Sequence, residues 1–136
     1  MLKSPLIHPQ ILEALATSGH TGKVLIADGN YPVGTLANPQ AKRVYLNLAP
    51  GQLAVTEVLD ILLTAIPVEA AHAMRTADGS TPDIFAEFES MLDVPVQKLD
   101  PQSFYDLAFD KNMALVIATG EQRLYGNIIL TIGVVV

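Results

Sequence analysis

Cysteine is absent from the 136 residues of the chain. A chain without cysteine has no disulfide framework, no thiolate nucleophile and no thiolate metal ligand. Histidine is scarce as well. The three histidines, His8, His20 and His72, lie far apart, and no HExxH motif places two of them on one helix face. The phosphate-binding patterns GxGxxG and GxxxxGKS/T are also missing. We therefore expect neither a metal nor a cofactor.

Charged residues make up only 16% of the chain, and the net charge is −6. An acidic chain without a basic patch predicts neither nucleic acid nor a membrane as a partner. No apolar run approaches the roughly 20 residues that span a bilayer. The first ten residues lack the apolar core of a signal peptide, so we expect a cytoplasmic protein. Because 50% of the residues are hydrophobic, we expect burial at subunit interfaces and hence a homo-oligomer.

The spacing of apolar residues switches repeatedly between strand-like and helix-like along the chain. Strand-like runs cover residues 23–28, 43–48, 69–76, 96–99, 114–118 and 128–136. Helix-like spacing begins at Pro9, and a second such stretch covers Val55–Ile66. Two more helices are predicted after the cap-and-proline starts at Ser80–Asp83 and Asp100–Pro101. This alternation predicts one α/β domain over residues 1–136, a layered sandwich whose mostly parallel or mixed sheet is flanked by helices.

His20 and Asp28 bracket the first strand-like run, whose apolar middle, Val24–Ala27, is typical of a strand covered on both faces. One interpretation is local: His20 caps a helix that ends at Gly19, and Asp28 forms a turn with Gly29. The other is that both residues belong to an acid–base site, since such chemistry needs titratable groups held on rigid elements.

A second polar cluster, TGEQRLYGN at residues 119–127, lies between the last two strand-like runs. It is either an ordinary connection turned by its glycines or part of a sugar site. Its acid, arginine, tyrosine and asparagine offer donors and acceptors to a hydroxyl-rich ligand, and Tyr125 adds an apolar face for a sugar ring. Phe104 and Tyr105 lie at helical spacing and are interpreted as packing residues. His72, within a strand, is interpreted as a satisfied core or interface histidine.

Several blocks together resemble the fucose mutarotase / D-ribose pyranase family over essentially the whole chain. They are the pair Gly19–His20, the run VLIADGNYP, the helix start FYDLA, and VIATGEQRLYGNIILTIGV. The pattern TGE followed three residues later by YGN is the most specific, and the match is closer to the fucose mutarotase branch. The stretch 100–107 lacks both the arginines of fucose mutarotases and the second histidine of ribose pyranases, so the sugar stays open.

The resemblance implies a cofactor-free isomerase that interconverts cyclic forms of a monosaccharide. It implies His20, Asp28 and Tyr125 as catalytic residues, and Asn127, Asp28 and Gln102 as contacts to the substrate. It also implies a ring of subunits, a homodecamer, with each sugar site between neighbouring subunits.

Mutarotation requires one group to take a proton from the anomeric hydroxyl while another gives a proton to the ring oxygen, and both transfers reverse on closure. An unperturbed histidine, with a pKa of about 6.5, suits this task. We therefore assign His20 as the main acid–base residue, with Asp28 orienting it or binding a hydroxyl. Tyr125 is the second proton-transfer group or a ring-oxygen donor, and Asn127 binds a hydroxyl.

The strand between His20 and Asp28 limits how the two can cooperate. Six extended residues span roughly 16 Å, so in one chain the two side chains lie near opposite strand ends. Either the segment around His20 folds back along the sheet, or a site takes the two residues from different subunits. Two further functions stay open: a non-catalytic sugar-binding or transport-accessory protein, and a structural or regulatory oligomer in which His20 only caps a helix.

Overall fold

Six strands form one mixed sheet, and four helices cover its two faces. The computed structural model describes all residues, 1–136. The strands are β1 (Lys23–Ala27), β2 (Lys42–Tyr45), β3 (Val68–Met74), β4 (Val96–Leu99), β5 (Met113–Ala118) and β6 (Ile128–Ile132). The helices are α1 (Pro9–Ser18), α2 (Val55–Leu62), α3 (Phe85–Met91) and α4 (Pro101–Ala108). The predicted α/β sandwich with a mixed sheet is thus confirmed.

The strand order is β2-β5-β1-β6-β3-β4, and β6 is the one strand that runs antiparallel to its neighbours. The remaining pairs, β2 with β5, β5 with β1, and β3 with β4, are parallel. Five strands therefore end at one edge of the sheet, where β6 begins. We call this the carboxyl edge, and the opposite one the amino edge. The loops after β1 and before β6 meet at the carboxyl edge.

Alternating residues of β1 enter two separate hydrophobic cores. Val24 and Ile26 pack under α1, α2 and α3, while Leu25 and Ala27 pack under α4 and the segment 31–41. All four side chains are fully buried, which explains the uninterrupted apolar run of a strand covered on both faces. None of the four helices combines the length and the apolar character needed to cross a membrane.

The helix start predicted at Asp100 is confirmed, and the one predicted at Ser80 is wrong. The Asp100 carboxylate accepts the N–H three residues later at 2.9 Å, as an N-cap does. α3, in contrast, begins only at Phe85. The Ser80 N–H donates to Asp78 and its backbone oxygen accepts from the Thr76 hydroxyl. Ser80 therefore closes a loop after β3 instead of capping a helix.

Several predicted elements end earlier than the apolar pattern indicates, among them β2 at Tyr45 and β3 at Met74. β6 stops at Ile132 rather than at Val136, because its partner β3 begins opposite Ile132 at Val68. The helix predicted up to Ile66 ends at Leu62, and the chain continues in turns. Apolar runs mark what is buried, whereas the length of an element depends on its partner.

Candidate active site

Asp28 follows β1 at the carboxyl edge and is nearly buried, with 4% of its surface exposed. Its Oδ1 accepts hydrogen bonds from the N–H groups of Asn30 and Tyr31, both at 2.9 Å. Its Oδ2 accepts from the Gly126 N–H at 3.0 Å and from the Asn127 side-chain amide at 3.1 Å. A carboxylate has about four lone-pair sites, so this chain's own donors occupy all of them. Asp28 thus ties the loop after β1 to the loop before β6.

Asn127 is held at both ends of its side-chain amide. Its Nδ2 donates to the Asp28 carboxylate, and its Oδ1 accepts from the Asp28 backbone N–H at 2.7 Å. Burial raises the pKa of Asp28 above its ordinary value of 3.8, and the four N–H donors act against that rise. Because a proton on either oxygen would displace one of these donors, the hydrogen bonds fit the ionised carboxylate.

A pocket of about 220 Å³ opens beside Asp28, and we call it the Asp28 pocket. Its lining comprises Asp28, Asn30, Tyr31, Met74, Tyr105, Leu124, Tyr125 and Asn127. The rings of Tyr31 and Tyr105 lie 5.6 Å apart and form an aromatic wall, a surface suited to the apolar face of a sugar ring. Burial raises the pKa of Tyr31, whose hydroxyl donates to the Leu36 oxygen. The Tyr125 hydroxyl accepts from the Ala77 N–H at 3.5 Å. The hydroxyls of Tyr105 and Tyr125 donate no hydrogen bond within the chain, so both can donate to a ligand.

Tyr125 has a φ of +59°, in the left-handed region that residues other than glycine rarely adopt. The next residue, Gly126, allows the chain to pass close to the neighbouring loops. A Cβ at Gly126 would lie 2.9 Å from the backbone oxygen of Arg123 and 3.5 Å from the Cβ of Asp28. Strained residues are retained where surrounding contacts hold them, and they concentrate at functional sites.

His20 lies at the amino edge, away from Asp28. Its Nε2 is 2.9 Å from Oε2 of Glu69 at the start of β3, and half of its side chain is exposed. It makes no hydrogen bond to the last carbonyls of α1, so it does not cap that helix. The five residues of β1 separate the two edges by about 13 Å. The segment around His20 therefore does not fold back along the sheet, and His20 and Asp28 of one chain do not meet.

The structure separates Gln102 from the other candidate residues and adds Tyr105 to them. Gln102 lies on α4 outside the lining of the Asp28 pocket, and its amide donates to Asp106 at 2.9 Å. One helical turn later, Tyr105 stands on the pocket wall, although its helical spacing indicated packing. Its neighbour Phe104 is fully buried and does pack. The cap at Asp100 is the signal that could have revealed Tyr105, because it places the start of α4 at the carboxyl edge.

The buried ring nitrogen Nδ1 of His72 has no hydrogen-bond partner within the chain, so His72 is not a satisfied core histidine, and its interpretation as an interface histidine stays a prediction. Desolvation by burial lowers its pKa, and the nearby Lys23 lowers it further. His72 therefore favours the neutral form. It stands in the middle of β3 and takes no part in the Asp28 pocket.

A larger pocket, of about 450 Å³, lies on the other side of Asn30. Its one ionisable side chain, Glu121, turns its carboxylate away to the Val55 N–H and to Arg123. No three His, Asp or Glu side chains cluster as a metal site in the chain. The Asp28 pocket is the better candidate, because it combines a titratable group, an aromatic wall and two hydroxyls that donate to no group of the chain.

The sequence signature of the RbsD / FucU transport protein family matches residues 1–135. The chain belongs to the RbsD / FucU family. A D-ribose pyranase of Geobacillus kaustophilus is 33% identical over 135 residues, which cover 98% of this chain and 95% of the relative. Human fucose mutarotase is 28% identical, with 95% of this chain and 90% of the relative covered. The resemblance seen in the sequence blocks is confirmed.

Two solved structures of the family superpose on the whole chain. The fucose mutarotase of Streptococcus pneumoniae in complex with L-fucose aligns with a TM-score of 0.85 at 29% identity, covering 100% of both chains. Bacillus subtilis RbsD complexed with D-ribose aligns with a TM-score of 0.84, again at 29% identity and over 100% of both chains. The enzymes named in this family are isomerases that interconvert the ring forms of sugars. The two structures match about equally well, whereas of the two curated relatives the D-ribose pyranase is the more identical in sequence. The closer match to the fucose mutarotase branch and the choice of sugar therefore stay predictions.

Proposed function

We propose that this chain is a cofactor-free monosaccharide isomerase that interconverts the anomers or ring forms of fucose or a related sugar. The Asp28 pocket carries the proposal. It offers an aromatic wall for the apolar face of a sugar and two phenol hydroxyls, those of Tyr105 and Tyr125, that donate to no other group of the chain. Relatives that match the chain from end to end carry the names of such enzymes.

Ring opening needs a donor and an acceptor of protons on the sugar, and the residues of the pocket divide these tasks. Tyr125 exchanges a proton with the ring oxygen, because its side chain lines the pocket and its hydroxyl donates to no group of the chain. Asn127 binds a sugar hydroxyl through the one amide N–H that Asp28 leaves free. The four acceptor sites of Asp28 are already filled by N–H groups of the chain. Its role is therefore to hold Asn127 and the loops after β1 and before β6 in place.

We assign the second proton-transfer group to His20 of a neighbouring copy of the chain. Within one chain, β1 keeps His20 and Asp28 at opposite edges of the sheet. The Asp28 pocket holds about 220 Å³, below the roughly 300–1,000 Å³ of typical small-molecule sites, as expected for a site that lacks one wall. Exposed apolar side chains such as Tyr45, Leu48 and Leu53 offer surface for assembly. The carboxylate of Glu69 orients the His20 ring.

Exchange NMR on a panel of free sugars, beginning with L-fucose and D-ribose, tests the activity. We expect the protein to accelerate magnetisation transfer between the anomers or ring forms of at least one sugar. His20→Ala should abolish the acceleration while leaving the subunit assembly intact. His8→Ala is the matched control, because His8 only caps α1 through its Nδ1. Full exchange with His20→Ala would refute the role of His20.

Mixing two inactive variants tests the shared site. His20→Ala still supplies Asp28, and Asp28→Asn still supplies His20, so an interface is intact when His20 comes from the Asp28→Asn chain and Asp28 from the His20→Ala chain. Random co-assembly in equal amounts should restore activity at about a quarter of the interfaces of a symmetric ring. If co-assembled oligomers stay inactive, His20 and Asp28 do not share a site across subunits.

The description of the family as transport proteins favours one second candidate, a non-catalytic sugar-binding accessory protein. The same NMR panel separates the two functions, because a binder broadens sugar signals without transferring magnetisation between anomers. The homodecamer, the cytoplasmic location and the contact of Gln102 with the sugar stay predictions.

A further inference from the structure

Glu121 is a buried carboxylate, 5% exposed, that the proposed reaction does not use. It lies between β5 and the segment Tyr125–Asn127. Its backbone oxygen accepts from the Gly29 N–H at 2.9 Å. Its side chain accepts from the Val55 N–H at 3.1 Å, where α2 begins. The residue before α2 is Ala54, which has no side-chain acceptor, so Glu121 supplies the missing cap from another loop.

Arg123 completes this arrangement. Its Nε and Nη2 each donate to the Glu121 carboxylate at 2.9 Å, and its backbone N–H donates at 3.0 Å. Its Nη1 reaches Glu87 on α3 at 2.7 Å. Burial tends to raise the pKa of Glu121, but the bonds from Arg123 and from the Val55 N–H outweigh it, so the pKa is lowered. The loop is thus fixed to α2 and α3 by charge-assisted hydrogen bonds.

The strained residue Tyr125 comes two positions after Arg123. Its left-handed φ costs free energy and persists only where neighbouring contacts hold it. On one side the Gly126 N–H binds Asp28. On the other side the chain is held by the pair Glu121–Arg123, because Leu124, which lies between Arg123 and Tyr125, is exposed and provides little packing.

We propose that Glu121 and Arg123 are positioning residues that hold Tyr125 in its left-handed conformation, in which its side chain lines the Asp28 pocket. This inference rests on the proposed function for its effect on turnover, but not for its effect on the conformation of Tyr125. Displacing a reacting group by about 1 Å can reduce a rate by roughly a hundred-fold. Glu121→Gln keeps the shape of the side chain and removes the charge that Arg123 binds.

The experiment measures conformation and turnover separately in the full-length protein. The chain has four tyrosines, so ring-labelled tyrosine gives a simple NMR spectrum in which Tyr125→Phe identifies the signal of Tyr125. We expect Glu121→Gln to shift or double that signal without sugar, and to lower kcat about ten- to a hundred-fold with a smaller change in KM. The control Glu13→Gln breaks the exposed pair of Glu13 with Lys42 and should change neither quantity.

Each outcome decides the inference. An unchanged Tyr125 signal together with an unchanged kcat per folded subunit in Glu121→Gln would overturn it, even if the melting temperature falls. If Glu121→Gln does not fold, Arg123→Lys gives the same two readouts, because it keeps the charge but loses the two-pronged contact. If the wild type exchanges no sugar, the proposed function fails, and the Tyr125 signal alone then supports or overturns the positioning role.

Discussion

Replacing Asp28 by asparagine tests how much the hydrogen bonds of its carboxylate contribute to stability. Either orientation of the new amide turns its NH₂ group toward two N–H donors, those on Oδ1 or those on Oδ2. A buried donor without an acceptor costs about 1–3 kcal/mol, so two cost about 2–6 kcal/mol. Removing a buried charge offsets part of that loss. We therefore expect the free energy of unfolding to fall by about 2–4 kcal/mol, a large share of the roughly 5–15 kcal/mol of a typical domain.

Urea unfolding followed by circular dichroism, at one fixed subunit concentration, measures this loss. With a urea slope of about 2 kcal/mol per M, the midpoint should fall by about 1–2 M. Asp110→Asn is the matched control, because the Asp110 side chain accepts one N–H at 2.7 Å and an asparagine oxygen can replace it. If Asp28→Asn unfolds within about 0.5 kcal/mol of that control, the range of neutral surface substitutions, the four donors do not stabilise the carboxylate as described.

Three further predictions follow from single contacts. Gly120→Ala should prevent folding or lower the free energy of unfolding by more than about 3 kcal/mol, because the new Cβ would overlap two backbone oxygens of the loop 49–52. The control Gly34→Ala has open space and should be nearly neutral; equal melting temperatures of the two variants would contradict this. Hydrogen bonds from the N–H and hydroxyl of Ser103 hold the pKa of Asp100 below its ordinary value of 3.8. The ionised carboxylate therefore stabilises the fold above pH 3.8, and this contribution is lost as the pH falls through the pKa of the folded state. Asp100→Asn should therefore lose less stability than the wild type between pH 5 and pH 2, and parallel acid titrations by circular dichroism would refute it. Tyr125→Phe keeps the ring and removes the hydroxyl, so kcat in the exchange assay should fall about a hundred-fold with little change in KM; a normal kcat would exclude Tyr125 from proton transfer.

The elements could be predicted from the sequence because each carries its own local signal. The run Val96–Leu99 coincides with β4, and the cap at Asp100 marks the start of α4. The order of the strands carries no such signal. All five residues of β6 are buried, and an apolar run of this kind is compatible with either direction and with any interior position in the sheet. The antiparallel insertion of β6 between β1 and β3 therefore could not be predicted.

The site shows the same division between local pattern and topology. Asp28 and Asn127 could be singled out from the sequence, but their contact joins residues 99 positions apart and depends on β6 beginning where β1 ends. Tyr105 was missed because helical spacing is the same for a residue that faces the core and for one that faces a pocket beside it. The position of His20 opposite Asp28 followed from strand length alone, since β1 has to be extended.

β6 is the last strand of the chain to be synthesised, yet it lies in the middle of the sheet, between β1 and β3. Without β6 the sheet separates into a three-stranded part, β2-β5-β1, and a two-stranded part, β3-β4, and each part has one more unpaired edge. The segment with Tyr125 and Asn127 leads directly into β6, so the sheet and the Asp28 pocket are completed in the same step, after most of the chain has left the ribosome. Unpaired strand edges promote association with other chains. A nascent or truncated chain that lacks β6 should therefore need protection from aggregation. Since it also lacks a complete Asp28 pocket, we expect it to be inactive.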